Sequence, residues 1–420
     1  MIKRIQILHY RGIKYSDVHL NNFNILIGPN ASGKSTFIDV INLLKDIIDK
    51  GPQKAIEKRS SRFEELLWRK EEESFKVAAE LDIPSEIIQK LKDRNFNLVR
   101  YEISVSLDEK KTVAIKSENL FLIKRPPTSS KECPKRQIDI FPQELKEPEY
   151  VVYGRKHTPA GWRKLISKST AGNDYFGSEN TDWNIVYRFG PSKSALGRVP
   201  EDEEKFPVSM WVNNFFTNGV HILQLDSKTM RMPCRPDLPV DFQTDGSNLP
   251  KVIRHLSKEN PDSFKRWVKH IQTAIPEIKG IEVVERPEDR FLYINVLHKN
   301  GMTLPSWVLS DGTLRLLAET IIAYLPEKNS IYMIEEPENG LHPLAIEILF
   351  QSLSSVYGNQ IFIATHSPAI LRLARTEDLL CFSKTRNGAV DIIPGNEHPR
   401  LRDWQKELDL SILPDAGVLQ

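Results

Sequence analysis

Two glycines, a lysine and two hydroxyl side chains follow a short apolar run near the start of the chain. Gly28, Gly33, Lys34 and Ser35 occupy the fixed positions of the pattern G-x-x-x-x-G-K-[ST]. Small residues let backbone N–H groups turn inward around phosphate oxygens, and the start of a following helix adds positive partial charge. In this pattern the lysine reaches the terminal phosphates and the serine hydroxyl ligates Mg²⁺. The stretch therefore predicts a site for a nucleoside triphosphate with magnesium.

The flanking sequence supplies the elements that such a site needs. Residues 23–27 form an apolar run that predicts a buried strand. After Lys34, apolar residues recur at steps of three and four, which predicts a helix with one apolar face. A glycine-rich turn that only caps a helix is the alternative interpretation, and it does not require a preceding strand. The candidate nucleotide-binding residues in this stretch are Gly28, Asn30, Ser32, Gly33, Lys34, Ser35 and Thr36, with Thr36 near the α-phosphate.

Far along the chain, a second apolar run ends in two acidic residues, Glu335 and Glu336. A magnesium ion would explain paired acids at the end of a buried strand. Glu335 could hold the ion through a water, and Glu336 could orient or deprotonate an attacking water as a general base. A solvated loop that begins with acids is the alternative. Residues 361–364 predict another buried strand, and His366 follows it where a γ-phosphate sensor would lie. The candidate catalytic residues are Glu336, His366 and Lys34, and the candidate metal ligands are Ser35 and Glu335.

A third candidate segment precedes the acidic strand. Ser310, Asp311 and Gly312 come directly before apolar residues at helical spacing. Ser310 is an expected N-cap, and capping alone would account for it. A Ser-x-Gly helix start that is exposed can also bind an anion.

Four stretches of this sequence together resemble a known family: YRGIKYSDVHLNNFNILIGPNASGKST, LSDGTLRLLA, IEEPENGLHP and THSPAIL. In type and order they resemble ABC-type ATPases, and more narrowly the OLD-like and RecF-like branch, as does DGSNLPKVIRHL. Glu335 stands where transporters usually carry Asp, and Asp311 stands where the signature usually has Gly. Both departures look normal for this branch.

The resemblance implies a partner subunit as well as ATP and Mg²⁺. In ABC-type ATPases two heads sandwich two ATP molecules, so Ser310 and Gly312 of one head would contact the γ-phosphate that the other head binds. Asn339 and His342 would lie near that interface. Because the γ-phosphate bridges the heads only until it is hydrolysed, this arrangement gives a two-state switch.

The resemblance also implies the fold class. We expect an α/β P-loop NTPase of the ABC-ATPase head type, with a mixed central sheet, an antiparallel β side, a small helical lobe and an internal insertion. Asn300-Gly301 between apolar runs predicts a hairpin. The expected regions are a first part of the head (1–120), a basic insertion (121–205), a second part of the head with the helical lobe (206–400), and a tail (401–420) that packs on the head or docks another protein.

Composition limits the other classes of function. The chain of 420 residues has a formal net charge of +2, so binding of nucleic acid would need a local basic patch. Cys133, Cys234 and Cys381 lie far apart, which argues against a disulfide framework or zinc knuckle and fits a reducing cytosol. We see no signal peptide, and no uncharged apolar run approaches the ~20 residues that span a bilayer. We therefore expect a cytoplasmic protein without membrane contact.

One stretch is locally basic. Between Lys124 and Lys168 there are 11 basic and 5 acidic residues, with Tyr150, Tyr153 and Trp162 interleaved. Cations on phosphates and rings on bases would suit DNA or RNA. The alternative is an ordinary insertion with a solvated basic face.

Three functional hypotheses fit these observations. OLD-like proteins often carry a Toprim nuclease with Asp-x-Asp, and no such pattern follows His366. The favoured hypothesis is therefore an ATP-switched dimer or larger homo-oligomer that controls a separate effector, a nuclease, in anti-phage defence. A RecF-like ATPase acting on DNA in repair and recombination is the second. A scaffold that binds ATP without turning it over is the third. A transporter subunit is disfavoured by the long separation of Gly33 from Ser310, and the absence of sustained heptads disfavours a long coiled coil.

Overall fold

The structure is a computed structural model that describes residues 1–124, 136–137, 139–154, 158–169 and 173–401. Its strands are β1 (Ile2–Tyr10), β2 (Ile13–His19), β3 (Phe23–Ile27), β4 (Ser74–Asp82), β5 (Leu98–Leu107), β6 (Val113–Ile123), β7 (Trp162–Ser169), β8 (Asp174–Gly177), β9 (Asn184–Tyr187), β10 (Val220–Leu223), β11 (Ile278–Glu285), β12 (Leu292–His298), β13 (Thr303–Pro305), β14 (Ile331–Glu335), β15 (Gln360–Ala364), β16 (Leu379–Lys384) and β17 (Val390–Pro394). Its helices are α1 (Lys34–Lys50), α2 (Pro52–Glu57), α3 (Ser85–Ile88), α4 (Pro207–Asn218), α5 (Ser227–Arg231), α6 (Leu249–Glu259), α7 (Pro261–Ala274), α8 (Asp311–Thr320), α9 (Pro343–Ser354) and α10 (Pro368–Leu373).

The central sheet is mixed, as expected, and its strand order is β10-β14-β15-β3-β16-β17. The pairs from β10 to β16 are parallel, and β17 is antiparallel to β16. The three strands that the sequence predicts around the site, β3, β14 and β15, are therefore neighbours. Because they run parallel, their carboxyl ends meet at one edge, which is where ligands bind in open α/β sheets.

Both faces of the central sheet are buried. Along β3, Leu26 belongs to the core on the side of α1, whereas Ile25 and Ile27 belong to the core beneath α6 to α9. This alternation follows from the period of two along a strand, and burial on both faces explains the continuous apolar runs. The predicted helix after the glycine-rich stretch is α1, and its buried residues, such as Phe37 and Ile41, cover the first face.

A second sheet of eight strands forms the antiparallel side, in the order β2-β1-β4-β5-β6-β7-β8-β9. Every neighbouring pair in it is antiparallel. Its last three strands come from the region expected as the basic insertion, and they extend the sheet beyond β6. The boundaries of the four expected regions stay a prediction.

A helical lobe and a small sheet cover the other face of the central sheet. The helix α7 begins at Pro261, where a missing N–H costs nothing, and the side chain of its N-cap Asn260 accepts a hydrogen bond from the Ser263 N–H at 3.2 Å. The buried Trp267 of α7 donates its Nε1–H to Thr320 of α8 at 3.0 Å. The strands β11, β12 and β13 form an antiparallel meander, and the Asn300-Gly301 hairpin is confirmed between the last two.

In the described part of the chain, no helix combines the length and apolar character that a bilayer crossing requires. Cys234 and Cys381 are buried free thiols. Cys133 and the tail from residue 402 onward lie outside the described residues, as does part of the basic stretch, so the expectations for the tail stay predictions.

Candidate nucleotide site

The glycine-rich loop connects β3 to α1, and its backbone needs glycine at two positions. Gly28 has φ of 149°, and a Cβ there would stand 2.2 Å from the carbonyl oxygen of Phe382. Gly33 has φ of 107° and directly precedes the first residue of α1. Only glycine adopts these angles without strain. The result is a tight loop whose backbone passes to the start of a helix of 17 residues.

Lys34 folds back over this loop. Its ammonium donates hydrogen bonds to the carbonyl oxygens of Gly28 at 2.7 Å and Pro29 at 3.0 Å. Burial lowers the pKa of Lys34, and the nearby carboxylates of Glu335 and Glu336 oppose that shift. A terminal phosphate would supply this buried cation with the counter-charge that carbonyl dipoles give only in part.

A cavity of about 340 Å³ lies at the carboxyl edge of the central sheet. The structure brings together here three stretches that are far apart in the sequence. The lining residues are Asn30, Ala31, Ser32, Gly33, Lys34, Ser35, Thr36, Glu335, Glu336, Ala364 and His366. Gly28 contributes through the loop backbone that Lys34 binds. The candidate P-loop residues, the paired acids and the histidine thus share one site, while their individual roles stay predictions.

The residues present fit a nucleotide with magnesium. The first residues of α1, Lys34, Ser35 and Thr36, border the cavity, so the unpaired N–H groups at the start of this helix suit phosphate oxygens. Ser35 and Glu335 offer hard oxygen donors, which Mg²⁺ prefers. These two side chains would hold the ion.

Glu336 has a strained backbone. Its φ is 49°, in the left-handed region that residues with a Cβ seldom adopt. Its N–H donates to the carbonyl of Ala364 at 2.8 Å, and its Oε2 accepts a hydrogen bond of 2.6 Å from Asn339. Such outliers persist where the surroundings impose them, and they concentrate at functional sites.

His366 faces the cavity from the turn after β15. Burial and the charge of Lys34 lower the pKa of His366, while Glu336 and Glu338 act in the opposite direction. A lowered pKa leaves the imidazole neutral near pH 7, with one N–H to donate and one nitrogen to accept.

Glu338 fixes the turn that carries His366, and the sequence reasoning missed it. Thr365 donates its hydroxyl proton to Oε1 of Glu338 at 2.5 Å, and it accepts a hydrogen bond from the Ser367 N–H at 2.9 Å. Asn339 was expected near a subunit interface, but it also binds Glu336 within the chain. The sequence signal that could have identified Glu338 and Asn339 as site residues was the cluster of polar residues directly after the acidic pair.

Ser310 and Gly312 do not line the cavity that the described residues form around Lys34. Ser310 is the N-cap of α8, as expected: its Oγ accepts from the Thr313 N–H at 3.1 Å. Gly312 packs so closely that a Cβ would stand 2.3 Å from the carbonyl oxygen of Gly340. Close packing against the loop after Glu336 is therefore a second reason for glycine at 312.

The start of α8 is also held by Arg231 of α5. Its guanidinium donates to the carbonyl of Leu309 at 3.0 Å and pairs with the carboxylate of Asp311. Ser306 donates its hydroxyl proton to the Arg231 carbonyl at 3.1 Å. The Ser-Asp-Gly segment is thus anchored on both sides.

Two family models match the chain. Residues 1–160 match a model described as "AAA ATPase domain", and residues 164–372 match one described as "AAA domain, putative AbiEii toxin, Type IV TA system". Among curated proteins no match is found.

Solved structures with the same fold cover almost the whole chain. The first is an Smc head bound to the C-terminal winged-helix domain of ScpA, with 15% identity, a TM-score of 0.52, and coverage of 93% of this chain and 96% of that one. The second is an Smc head with an extended coiled coil bound to the C-terminal domain of ScpA, from Pyrococcus furiosus, with 13% identity, a TM-score of 0.50, and coverage of 93% and 95%. At such identities the likeness shows the fold. Two parts of the chain therefore match AAA-type ATPase domain models, and the chain has the fold of an SMC head.

Proposed function

We propose that this chain binds and hydrolyses ATP, and that paired heads use the γ-phosphate as a switch for a separate effector. One observation carries the proposal. The cavity at the edge of the central sheet unites Lys34, the paired acids and His366, which come from three distant stretches. This combination of a buried cation, carboxylates and a neutral imidazole suits transfer of a phosphoryl group to water.

Each side chain has a part in this proposal. Lys34 and the loop N–H groups bind the phosphates, and His366 donates its N–H to the γ-phosphate. Glu336 orients the attacking water and takes its proton onto a carboxylate oxygen. The water oxygen bonds to the γ-phosphorus as the bond from that phosphorus to the bridging oxygen breaks, and ADP leaves with the bridging oxygen. Bound Mg²⁺, held by Ser35 and Glu335, would neutralise charge on the phosphates.

The second head would complete the site. Within the described residues, Ser310 and Gly312 are not part of the cavity around Lys34, so a contact with the γ-phosphate would come from a partner subunit. Arg231 and the Thr313 N–H hold this segment in a fixed orientation. A preorganised anion site costs little to engage, so a bound γ-phosphate would stabilise the pair.

The proposed effector is a separate nuclease in anti-phage defence. The resemblance to the OLD-like branch supports this step, as does the match of residues 164–372 to a family described as a putative toxin of a type IV TA system. The Smc heads with this fold are described as bound to a domain of another protein, ScpA, which supports a protein partner here. RecF-like action on DNA is the second candidate, and the basic stretch from 124 to 168 is the feature that favours it.

Several described cations of that basic stretch are engaged within the chain. Lys124 pairs with Asp93 at 2.7 Å, and Arg136 pairs with Asp391 at 2.8 Å. Lys168 forms a fully buried pair with Asp174. Contact of nucleic acid with the insertion stays a prediction, and it depends mainly on cations outside the described residues.

The deciding experiment measures phosphate release and the molar mass of the purified protein with ATP and Mg²⁺. The proposal would be supported if the parent protein hydrolyses ATP and the Glu336→Gln variant forms a dimer only when ATP is bound. No turnover by the parent, with ATP bound, would support the scaffold hypothesis. A monomer under every nucleotide condition would contradict the paired heads.

A further inference from the structure

A second cavity, of about 280 Å³, lies in the helical lobe, away from the nucleotide site. It opens between the outer face of α6, the β11–β12 hairpin and the segment from 236 to 240. Four of its lining residues are permanent cations and one is a carboxylate. The lining residues are Pro236, Val240, Lys251, Arg254, His255, Lys258, Glu285, Arg290 and Leu292.

The cations come from one face of α6 because of their spacing. Lys251, Arg254, His255 and Lys258 recur at steps of three and four, so they lie on one stripe of the helix. The opposite stripe is buried in the core. Amphipathic burial explains why this stripe is polar, but it does not explain why the stripe is cationic. The adjacent α7 also carries exposed cations, of which Lys265 pairs with Asp262 at 3.9 Å.

The cavity is preorganised without losing its positive charge. Glu285 accepts hydrogen bonds from Arg254 at 2.5 Å and from Arg290 at 3.2 Å, so one carboxylate orients two guanidinium groups. Lys251 donates to the carbonyl oxygens of Pro236 at 2.7 Å and of Leu238, which are uncharged. No ion pair among the described residues engages Lys258, which is exposed. Counted without His255, the lining keeps a surplus of three positive charges.

We propose that this cavity binds the sugar–phosphate backbone of a nucleic acid. From Lys251 to Lys258 the helix rises by roughly 10 Å, which exceeds one phosphate group and matches about three successive nucleotides of a strand. Guanidinium groups paired with Glu285 and flexible ammonium groups suit phosphate oxygens, while the lining has no Phe, Tyr or Trp on which a base could stack. Recognition is therefore of the backbone and independent of base sequence.

The cavity is connected to the start of α8. Its lining residue Leu292 forms two backbone hydrogen bonds with Cys234, of 2.6 and 2.9 Å. Cys234 is three residues from Arg231, which binds the Leu309 carbonyl and the Asp311 carboxylate. Nucleic acid bound in the cavity would thus act on ATP hydrolysis by shifting Arg231 and, with it, the Ser-Asp-Gly segment that Arg231 holds. This second step rests on the proposed function, because it concerns ATP hydrolysis.

The test is fluorescence anisotropy of a labelled 30-nucleotide single strand and of the matching duplex, titrated with the full chain at several salt concentrations. Lys258→Gln should weaken binding by about three- to tenfold and lower the slope of log K against log salt by about 1. Lys251→Gln combined with Lys258→Gln should weaken it further. The matched control is Lys265→Gln combined with Lys269→Gln, which removes two exposed cations from the same lobe and should leave affinity within twofold.

Several outcomes would overturn the proposal. One is an equal loss of oligonucleotide affinity in the α6 variants and in the α7 control. Another is a loss of affinity that occurs only in a variant neutralised at Lys124, Arg125, Lys135 and Arg136. Displacement of the probe by inorganic phosphate at low millimolar concentration would indicate a small-anion site instead. If the oligonucleotide stimulates ATP hydrolysis, Lys258→Gln should abolish the stimulation and keep the basal rate. A parent without turnover would contradict the proposed function, while the binding assay would still decide this inference.

Discussion

The side-chain amide of Asn339 donates a hydrogen bond of 2.6 Å to Oε2 of Glu336, the proposed general base. Both residues belong to one tight turn, in which the Asn339 N–H also donates to the Glu336 carbonyl at 3.0 Å. Because the backbone of Glu336 is in the left-handed region, its carboxylate needs such contacts to keep one direction. Asn339 is therefore a positioning residue for the proposed base.

Replacing Asn339 by Ala should lower kcat for ATP hydrolysis by about tenfold, because a carboxylate without a fixed direction orients the attacking water less often. KM should change less than threefold, since Asn339 does not line the cavity. Asn339→Asp should be worse, because it places a like charge beside Glu336. Steady-state kinetics measures both parameters. The chain offers a matched control in Asn295, which donates to Glu282 at 3.2 Å in the distant hairpin. Equal kcat losses in Asn295→Ala and Asn339→Ala would contradict the assignment.

Glu336→Gln should keep ATP binding and lower hydrolysis by ~10²-fold or more, because an amide cannot accept the proton of the attacking water. Phosphate release and equilibrium binding of a labelled ATP analogue measure the two effects separately. Glu335→Gln is the informative neighbour, since it should raise the Mg²⁺ concentration needed for half-maximal turnover. Unchanged turnover in Glu336→Gln would remove that residue from the role of base.

Lys34→Ala should lower the affinity for ATP, because it removes the buried cation that lines the cavity and would face the terminal phosphates. The same substitution deletes two hydrogen bonds to the loop carbonyls, so thermal unfolding has to be measured beside binding. Lys50→Ala, at the exposed end of the same helix, is the control and should bind ATP like the parent protein. Parent-like affinity in Lys34→Ala with intact folding would contradict the proposed cradle.

The strands and helix of the nucleotide site could be predicted because each carries a local signal. The run at 23–27 is uniformly apolar, and burial of β3 on both faces requires this. The strand order could not be predicted from periodicity, since β3 pairs with β15 across more than three hundred positions. The family resemblance implied only that the central sheet is mixed. The sequence around Lys168 predicted a basic surface, yet Lys168 and Asp174 form an ion pair whose two side chains are fully buried. A buried ion pair between strands has the same sequence pattern as a solvated face.

Gly312→Ala should destabilise the protein as well as impair hydrolysis. A methyl group at 312 would lie 2.3 Å from the Gly340 carbonyl, so α8 or the loop after Glu336 must move. We expect thermal unfolding several degrees lower. Ser310→Ala should instead cost about 1 kcal/mol through loss of the N-cap. Gly154→Ala is the control, because nothing lies within 4 Å of its added Cβ. Full stability of Gly312→Ala would show that the packing against Gly340 is not tight.

Glu319 of α8 predicts an unusual dependence of stability on pH. It is 1% exposed, and its Oε2 has no hydrogen-bond partner among the described residues. Burial raises the pKa of Glu319 well above its usual value near 4.5; Glu338 adds to the rise and Arg315 opposes it. The folded protein therefore keeps a proton that the unfolded chain releases, so this residue lowers stability progressively as pH rises above about 4.5.

Glu319→Gln should remove that penalty, because glutamine stays neutral at every pH. The melting temperature of the variant should be close to that of the parent at pH 5 and clearly higher at pH 8, as measured by calorimetry or near-UV circular dichroism. Glu347→Gln, on the exposed side of α9, should show no such divergence. A constant difference between Glu319→Gln and the parent from pH 5 to pH 8 would mean that Glu319 is ionised in the folded protein. Its charge would then have to be balanced by Arg315 across the turn of α8.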